Sequence, residues 1–90
     1  MTTGGSPQFR VEVTRSFVKD LRKLPRKDQL RVRYALEEIA INPWAGRKVV
    51  GASQGQYRWR VGGYRIRYDI EGEAVWILRV VKREDAYRKF

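Results

Sequence analysis

Arg58, Arg60, Arg65 and Arg67 sit in two short stretches where they alternate with Tyr57, Trp59 and Val61 and then with Tyr64, Ile66 and Tyr68. Alternation is the period of a half-buried strand, so the four guanidiniums share one sheet face and the apolar side chains share the other. Gly62-Gly63 between the stretches suits a two-residue hairpin turn, which needs the positive φ that glycine adopts easily. Such a turn pairs Val61 with Tyr64, and so sets Arg60 opposite Arg65 and Arg58 opposite Arg67. Like charges about 5 Å apart across strands are destabilising, and an anion lying over them would relieve that. Arg58 and Arg60 are roughly 7 Å apart along the face, close to the phosphate spacing of a nucleotide chain. Keeping the apolar faces aligned across the next turn, Glu71-Gly72-Glu73, takes three loop residues. That places Arg79 opposite Arg65, puts Trp59 and Trp76 in the core, and gives Arg83 the same parity just past the strand end. The competing reading is a solvated face whose long stems cover apolar surface. Acidic residues would then be mixed among the arginines, and only Asp69 is.

Composition narrows the chemistry. Twenty Lys and Arg face ten Asp and Glu among 90 residues, a net charge of +10, and fourteen of the twenty are Arg. Arginine binds phosphate oxygens bidentately and stacks on bases, so the balance predicts a polyanionic partner, either nucleic acid or an acidic protein. There is no Cys and no His. Disulfides, thiolate metal sites and thiol nucleophiles are excluded, and the commonest metal ligand and general base is missing. No metal or other cofactor is expected. No apolar run approaches the roughly 20 residues that span a bilayer and no signal-peptide core follows Met1, so a membrane partner is not expected and a cytoplasmic location is.

The elements that must hold the arginines can be read in order. Residues 1–8 are small, polar and glycine-rich, a frayed tail; residues 9–90 form a single domain. Phe9 to Val13 alternates as a strand. Thr14 is placed to cap a helix carrying Phe17, Val18, Leu21 and Leu24 on one face, closed by Pro25. A second helix, from about Lys27 to Ile41, has Val32, Ala35, Leu36, Ile39 and Ala40 as its buried stripe, and Asn42-Pro43 stops it. Trp44 to Gln56 reads as a loop, in which Trp44 either packs or stacks on a base. Ala74 to Val81 is the last strand. The fold class is α+β, in the order β-α-α-β-β-β, with two helices on one face of an antiparallel sheet.

The run Gln56-Tyr57-Arg58-Trp59-Arg60-Val61-Gly62-Gly63-Tyr64-Arg65-Ile66-Arg67-Tyr68 resembles a stretch of the RelE/ParE-superfamily toxins. The ending Val80-Val81-Lys82-Arg83-Glu84-Asp85-Ala86-Tyr87-Arg88 resembles their closing segment. The likeness extends over the helix pair ending at Asn42-Pro43 and the Lys48-Val49-Val50-Gly51 loop. It implies a ribosome-dependent endoribonuclease acting on mRNA in the A site, in which a 2′-hydroxyl attacks the adjacent phosphate without a metal. An acidic, RelB-like antitoxin is the implied partner. By position the resemblance implies catalytic roles for Arg60, Arg65, Arg83 and Tyr87. RNA contacts fall to Arg58, Arg67, Arg79, Lys82 and Arg88.

The basic pair at Arg58 and Arg60 is Lys-Lys in the best-known RelE. Arginine does not readily release its proton, so Arg60 is a poor general base, although it can stabilise charge on a phosphorane. Proton removal then falls to Tyr87, whose phenolate nearby arginines favour, to Glu84 or Asp85, or is left to water. Tyr87 could equally stack on a base or simply pack. Lys19, Arg22, Lys23, Arg26 and Lys27 cluster at the turn between the helices, either as a solvated face or, by the resemblance, as a contact with ribosomal RNA phosphates. Two alternatives share the fold expectation: a ParE-like gyrase inhibitor without a nuclease site, and an RNA-binding module without catalysis.

Overall fold

The computed structural model describes residues 8–49, 51 and 55–82. The expected tail, apart from Gln8, and the closing segment from Arg83 onward lie outside the described residues. Strand β1 (Arg10–Val13) leads into helices α1 (Arg15–Arg22) and α2 (Arg26–Ile41). A short 3-10 turn (Pro43–Ala45) and strand β2 (Arg47–Lys48) follow, then β3 (Tyr57–Val61), β4 (Tyr64–Glu71) and β5 (Ala74–Lys82). The five strands form one sheet in the order β1-β5-β4-β3-β2.

Helix boundaries follow the local chemistry. The Thr14 hydroxyl accepts the Phe17 N–H at 3.1 Å and so satisfies one of the donors a helix start leaves open. Pro25 stands at the N-cap of α2 and Asn42 at its C-cap. Phe17, Val32, Ala35 and Ile39 from the helices meet Ile66, Tyr68, Val75, Ile77 and Val80 from the sheet in one core. Ile39, Ile66 and Ile77 are fully buried, each stabilising by about 1.5–3 kcal/mol relative to exposure. Tyr64 fastens the hairpin to α2 by donating its hydroxyl to Asp28 at 2.9 Å.

Register on the β3–β4 hairpin is as the two-glycine turn requires, with Val61 opposite Tyr64, Arg60 opposite Arg65 and Arg58 opposite Arg67. The β4–β5 side differs. Glu71 pairs with Ala74, leaving only Gly72-Glu73 in the turn, and the extra residue is taken up as a bulge at Leu78 between Tyr68↔Ile77 and Arg67↔Arg79. Arg79 therefore faces Arg67, not Arg65, whose partner is Val81. The bulge also reverses parity along β5: Val75 and Ile77 are core, while Trp76, expected inside, is 37% exposed on the opposite face. Trp59 does pack against the core.

Two further differences concern the edges. The sheet is mixed, because β1 runs parallel to β5. The expected loop after Trp44 contains β2, which pairs Arg47 with Arg58 and Lys48 with Tyr57. That edge is anchored by Tyr68, fully buried and stacked on Tyr57 with ring centres 5.5 Å apart. Its hydroxyl donates to the Pro43 carbonyl at 2.8 Å. A Cβ on Gly46 would lie 1.8 Å from that hydroxyl oxygen, so only glycine lets the chain pass.

Gly46→Ala should cost about 1–3 kcal/mol in urea unfolding, as overpacking generally does, and should loosen β2. Burial is the main cause pushing the Tyr68 phenol up to about 12. The neutral phenol is thus favoured in the fold: its contribution is complete below pH 10 and is lost as pH rises from there towards 12. Tyr68→Phe should flatten the fall in stability measured across the lower part of that window.

Candidate nucleic-acid interface

The face of the sheet opposite the helices carries the arginines. Strand pairing lines up Arg47, Arg58, Arg67 and Arg79 across β2, β3, β4 and β5, with Arg60 and Arg65 as the next pair toward the hairpin turn. Half-burial of Arg58, Arg65 and Arg67 comes from their stems lying on the sheet, and the Nε atoms of Arg58 and Arg67 are buried. These three are each engaged by neighbouring groups. Arg60, Arg47 and Lys48 are exposed.

At the β2–β3 edge these groups open onto a cleft of about 760 Å³ lined by Arg47, Lys48, Arg58, Arg60 and Arg65, with Ala45, Gly46, Val49 and Trp59 completing the wall. Arg47 and Lys48 were not foreseen as site residues. A two-residue strand has no periodicity to read, and only pairing with β3 brings them to the arginines. Lys48 Nζ also lies 5.9 Å from the Tyr57 ring centre, within cation-π range.

Asp69, which follows Arg65 and Arg67 along this face of β4, is already committed. Its carboxylate accepts the backbone N–H groups of Gly55 and Gln56 at 2.9 and 2.7 Å, tying the incoming loop to β4. Arg79 is committed too. Its Nε and Nη2 donate to the Asp20 carboxylate at 2.7 and 3.0 Å, a bidentate pair that raises the Arg79 pKa. The same Asp20 accepts the Val80 N–H at 3.2 Å, while the Thr14 hydroxyl donates to the Leu78 carbonyl at 2.9 Å. β1 pairs with β5 only as far as Ile77. Beyond that point α1 covers the β5 edge, with side chains in place of a neighbouring strand.

Lys82 pairs with Tyr64 and so has the register of the helix-covered face. Lys19, Arg22, Lys23, Arg26 and Lys27 are all exposed around the α1–α2 turn. Arg83, Tyr87 and Arg88, with Glu84 and Asp85, lie outside the described residues. Trp44 is 59% exposed and packs edge-on against Phe9 and Tyr57. Two tyrosines that could have supplied a base are held protonated: Tyr64 chiefly by its hydrogen bond to Asp28, and Tyr68 chiefly by burial. Among the described residues no three carboxylates converge to hold a metal ion, and no helix is long and apolar enough to cross a membrane. Chemically, the cleft can bind an anion and stabilise added negative charge on it.

Asp20→Ala should destabilise the fold by about 1–3 kcal/mol, mostly from the buried N–H left open on β5 rather than from the exposed ion pair. Urea unfolding of Asp20→Ala beside Arg79→Ala separates the two, since the second keeps the carboxylate on Val80. Equal, negligible losses would show that α1 does not hold this edge.

Comparison with known proteins places this arrangement in a family. Residues 11–87 match the family described as ParE toxin of type II toxin-antitoxin system, parDE. The chain is 30% identical to toxin RelE3 of Methanocaldococcus jannaschii over 91% of this chain and 99% of that protein. Among solved structures it is similar to a RelBE2 toxin-antitoxin complex from Mycobacterium tuberculosis, with a TM-score of 0.74 and 30% identity over 84% of this chain and 99% of the other. It is also similar to the archaeal RelE-RelB complex of Pyrococcus horikoshii, with a TM-score of 0.71 and 25% identity over 83% and 94%. With sequence, strand order and helix pair in agreement, the chain belongs to the RelE/ParE superfamily as a RelE-like toxin of a type II toxin–antitoxin system.

Proposed function

We propose that this toxin is a metal-independent endoribonuclease that cuts mRNA in the ribosomal A site in the cytoplasm, and that an acidic antitoxin of the RelB kind silences it. The observation that carries the reading is the cleft in which Arg47, Lys48, Arg58, Arg60 and Arg65 converge. Five cations around one open cleft suit a phosphate whose charge rises during reaction.

In that reaction the 2′-oxygen forms a bond to the adjacent phosphorus and the bond to the 5′-oxygen breaks. The products are a 2′,3′-cyclic phosphate and a 5′-hydroxyl. Arg65 and Arg83 hold the scissile phosphate, and Arg60, on the neighbouring strand, reaches the attacking or leaving oxygen. Donors fixed before the reaction stabilise the phosphorane without reorganising. Arg58, Arg67 and Arg88 hold flanking RNA; Arg79, tied to Asp20, positions the β5 edge. Lys82, exposed at the end of β5 with the register of the opposite face, meets RNA at the sheet's end rather than from the arginine rows. Proton removal is assigned to Tyr87, with Glu84 and Asp85 as the other candidates. Lys19, Arg22, Lys23, Arg26 and Lys27 form a separate surface for ribosomal RNA phosphates.

The test is cell-free translation with the purified toxin, mapping mRNA ends by single-turnover kinetics. Arg65→Ala should slow cleavage by roughly 100-fold to 1000-fold while remaining folded. Tyr87→Phe should be nearly inactive and lose a step from the pH–rate profile if the phenol is the base, or remain near wild type if the ring stacks. Neutralising two residues of the Lys19–Lys27 cluster should flatten the salt dependence of ribosome binding by about one unit per lost contact. The ParE family match favours one rival, inhibition of gyrase. Loss of supercoiling activity with intact mRNA in the same preparation would replace the nuclease reading with that one.

A further inference from the structure

Behind the arginine cleft, on the other side of Arg60, lies a smaller groove of about 300 Å³ between α2 and the β3–β4 turn. Its polar and aromatic lining is Arg31, Tyr34, Glu38, Trp59 and Arg60, and Gly62 forms its end. Trp59 and Arg60 border both depressions, so Arg60 stands on the ridge between them. Tyr34 is 66% exposed, a large ring left in water on the groove wall. Gly62 has φ 55°, and a Cβ there would come within 2.8 Å of Arg31 Nη1. The glycine thus makes the turn and also lets the Arg31 guanidinium close against it.

We propose that this groove is a second subsite for the RNA strand held in the arginine cleft, taking a nucleotide that lies outside the cleavage site. The inference rests on the reading of the arginine face as an RNA site and extends it across Arg60. A strand leaving the cleft over Arg60 meets a second guanidinium at Arg31 for its next phosphate. Its base meets the Tyr34 ring, and stacking on an aromatic face accepts any base. The Glu38 carboxylate, an acceptor, suits a base N–H rather than a phosphate. A basic site with one exposed aromatic ring and one acceptor matches a nucleotide better than it matches an acidic peptide, which has no use for the ring or for Glu38.

The test uses 2′-O-methyl oligoribonucleotides, which cannot be cut, in fluorescence anisotropy at low salt with the purified toxin. Lengths of about four and about eight nucleotides compare occupancy of the cleft alone with cleft plus groove. Wild type should bind the longer oligomer about tenfold more tightly than the shorter, the size of one added stacking contact. Tyr34→Ala and Arg31→Ala should lose most of that gain and keep their affinity for the short oligomer, while Tyr34→Phe restores it. Arg33→Ala, on the same helix but not lining the groove, should keep the gain and so controls for charge alone. A length gain that survives in both Tyr34→Ala and Arg31→Ala overturns the subsite and leaves the cleft reading standing. If those variants keep the length gain and weaken antitoxin binding, the groove is a protein contact instead, and the subsite is overturned. Failure of wild type to bind either oligomer sinks the reading of the arginine face itself, and the groove with it.

Discussion

Guanidinium groups held on paired strands, with backbones about 5 Å apart, set the terms for the rest of this molecule. Arg47, Arg58, Arg67 and Arg79 form one row across four strands, and Arg60 with Arg65 forms a second. The two carboxylates nearest the rows are used for backbone contacts, Asp69 on the loop before β3 and Asp20 on the edge of β5. Asp20 also pairs with Arg79, and Arg58, Arg65 and Arg67 are each engaged by neighbouring groups. On the function proposed above, an anion lying on these rows adds to the stability of the sheet. The opposite face must therefore be held firmly by apolar packing, and it is, through Phe17, Val32, Ile39 and the fully buried side chains of β4 and β5.

The same constraint explains the edges. β1 pairs with β5 only as far as Ile77, and beyond that point the β5 edge would offer open backbone groups. Thr14 and Asp20 of the α1 segment meet those groups, and Asp20 draws Arg79 toward the helix. At the other edge β2 adds Arg47 and Lys48 to the cleft, and the buried Tyr68 hydroxyl together with the bare Gly46 backbone fixes its approach. Charge is drawn away from one edge and concentrated at the other, which makes the cleft local rather than spread over the whole face.

Much of this was legible in the residues, and the failures have physical causes. Strict alternation on both sides of Gly62-Gly63 was enough to place Arg58 against Arg67 and Arg60 against Arg65, because a two-residue turn allows one register. Thr14 marked a helix start by capping, and Pro25 and Asn42-Pro43 marked helix ends by what proline forbids. Trp76 and Arg79 were misplaced because a bulge inserts a residue without any compositional mark. The sequence could be satisfied by three residues in the turn or by two and a bulge at Leu78, and Thr14 bonding to the Leu78 carbonyl exists only in the folded state. β1 running parallel to β5 is likewise a consequence of the helix pair carrying the chain back across the sheet. Arg47 and Lys48 were invisible because two residues cannot show a period.

The central claim is that the cross-strand arginines form a site for phosphate. Its most direct measurement is the melting temperature against inorganic phosphate at fixed ionic strength, for wild type and for the double variant Arg58→Gln/Arg65→Gln. A ligand that binds only the folded state stabilises it by mass action, by about 2.7 kcal/mol at a hundredfold excess over Kd. The account predicts a rise for wild type that grows with the logarithm of phosphate concentration, and a flat response for the double variant once the general effect of salt is matched. Identical responses in the two proteins, whether both rising or both flat, would contradict it.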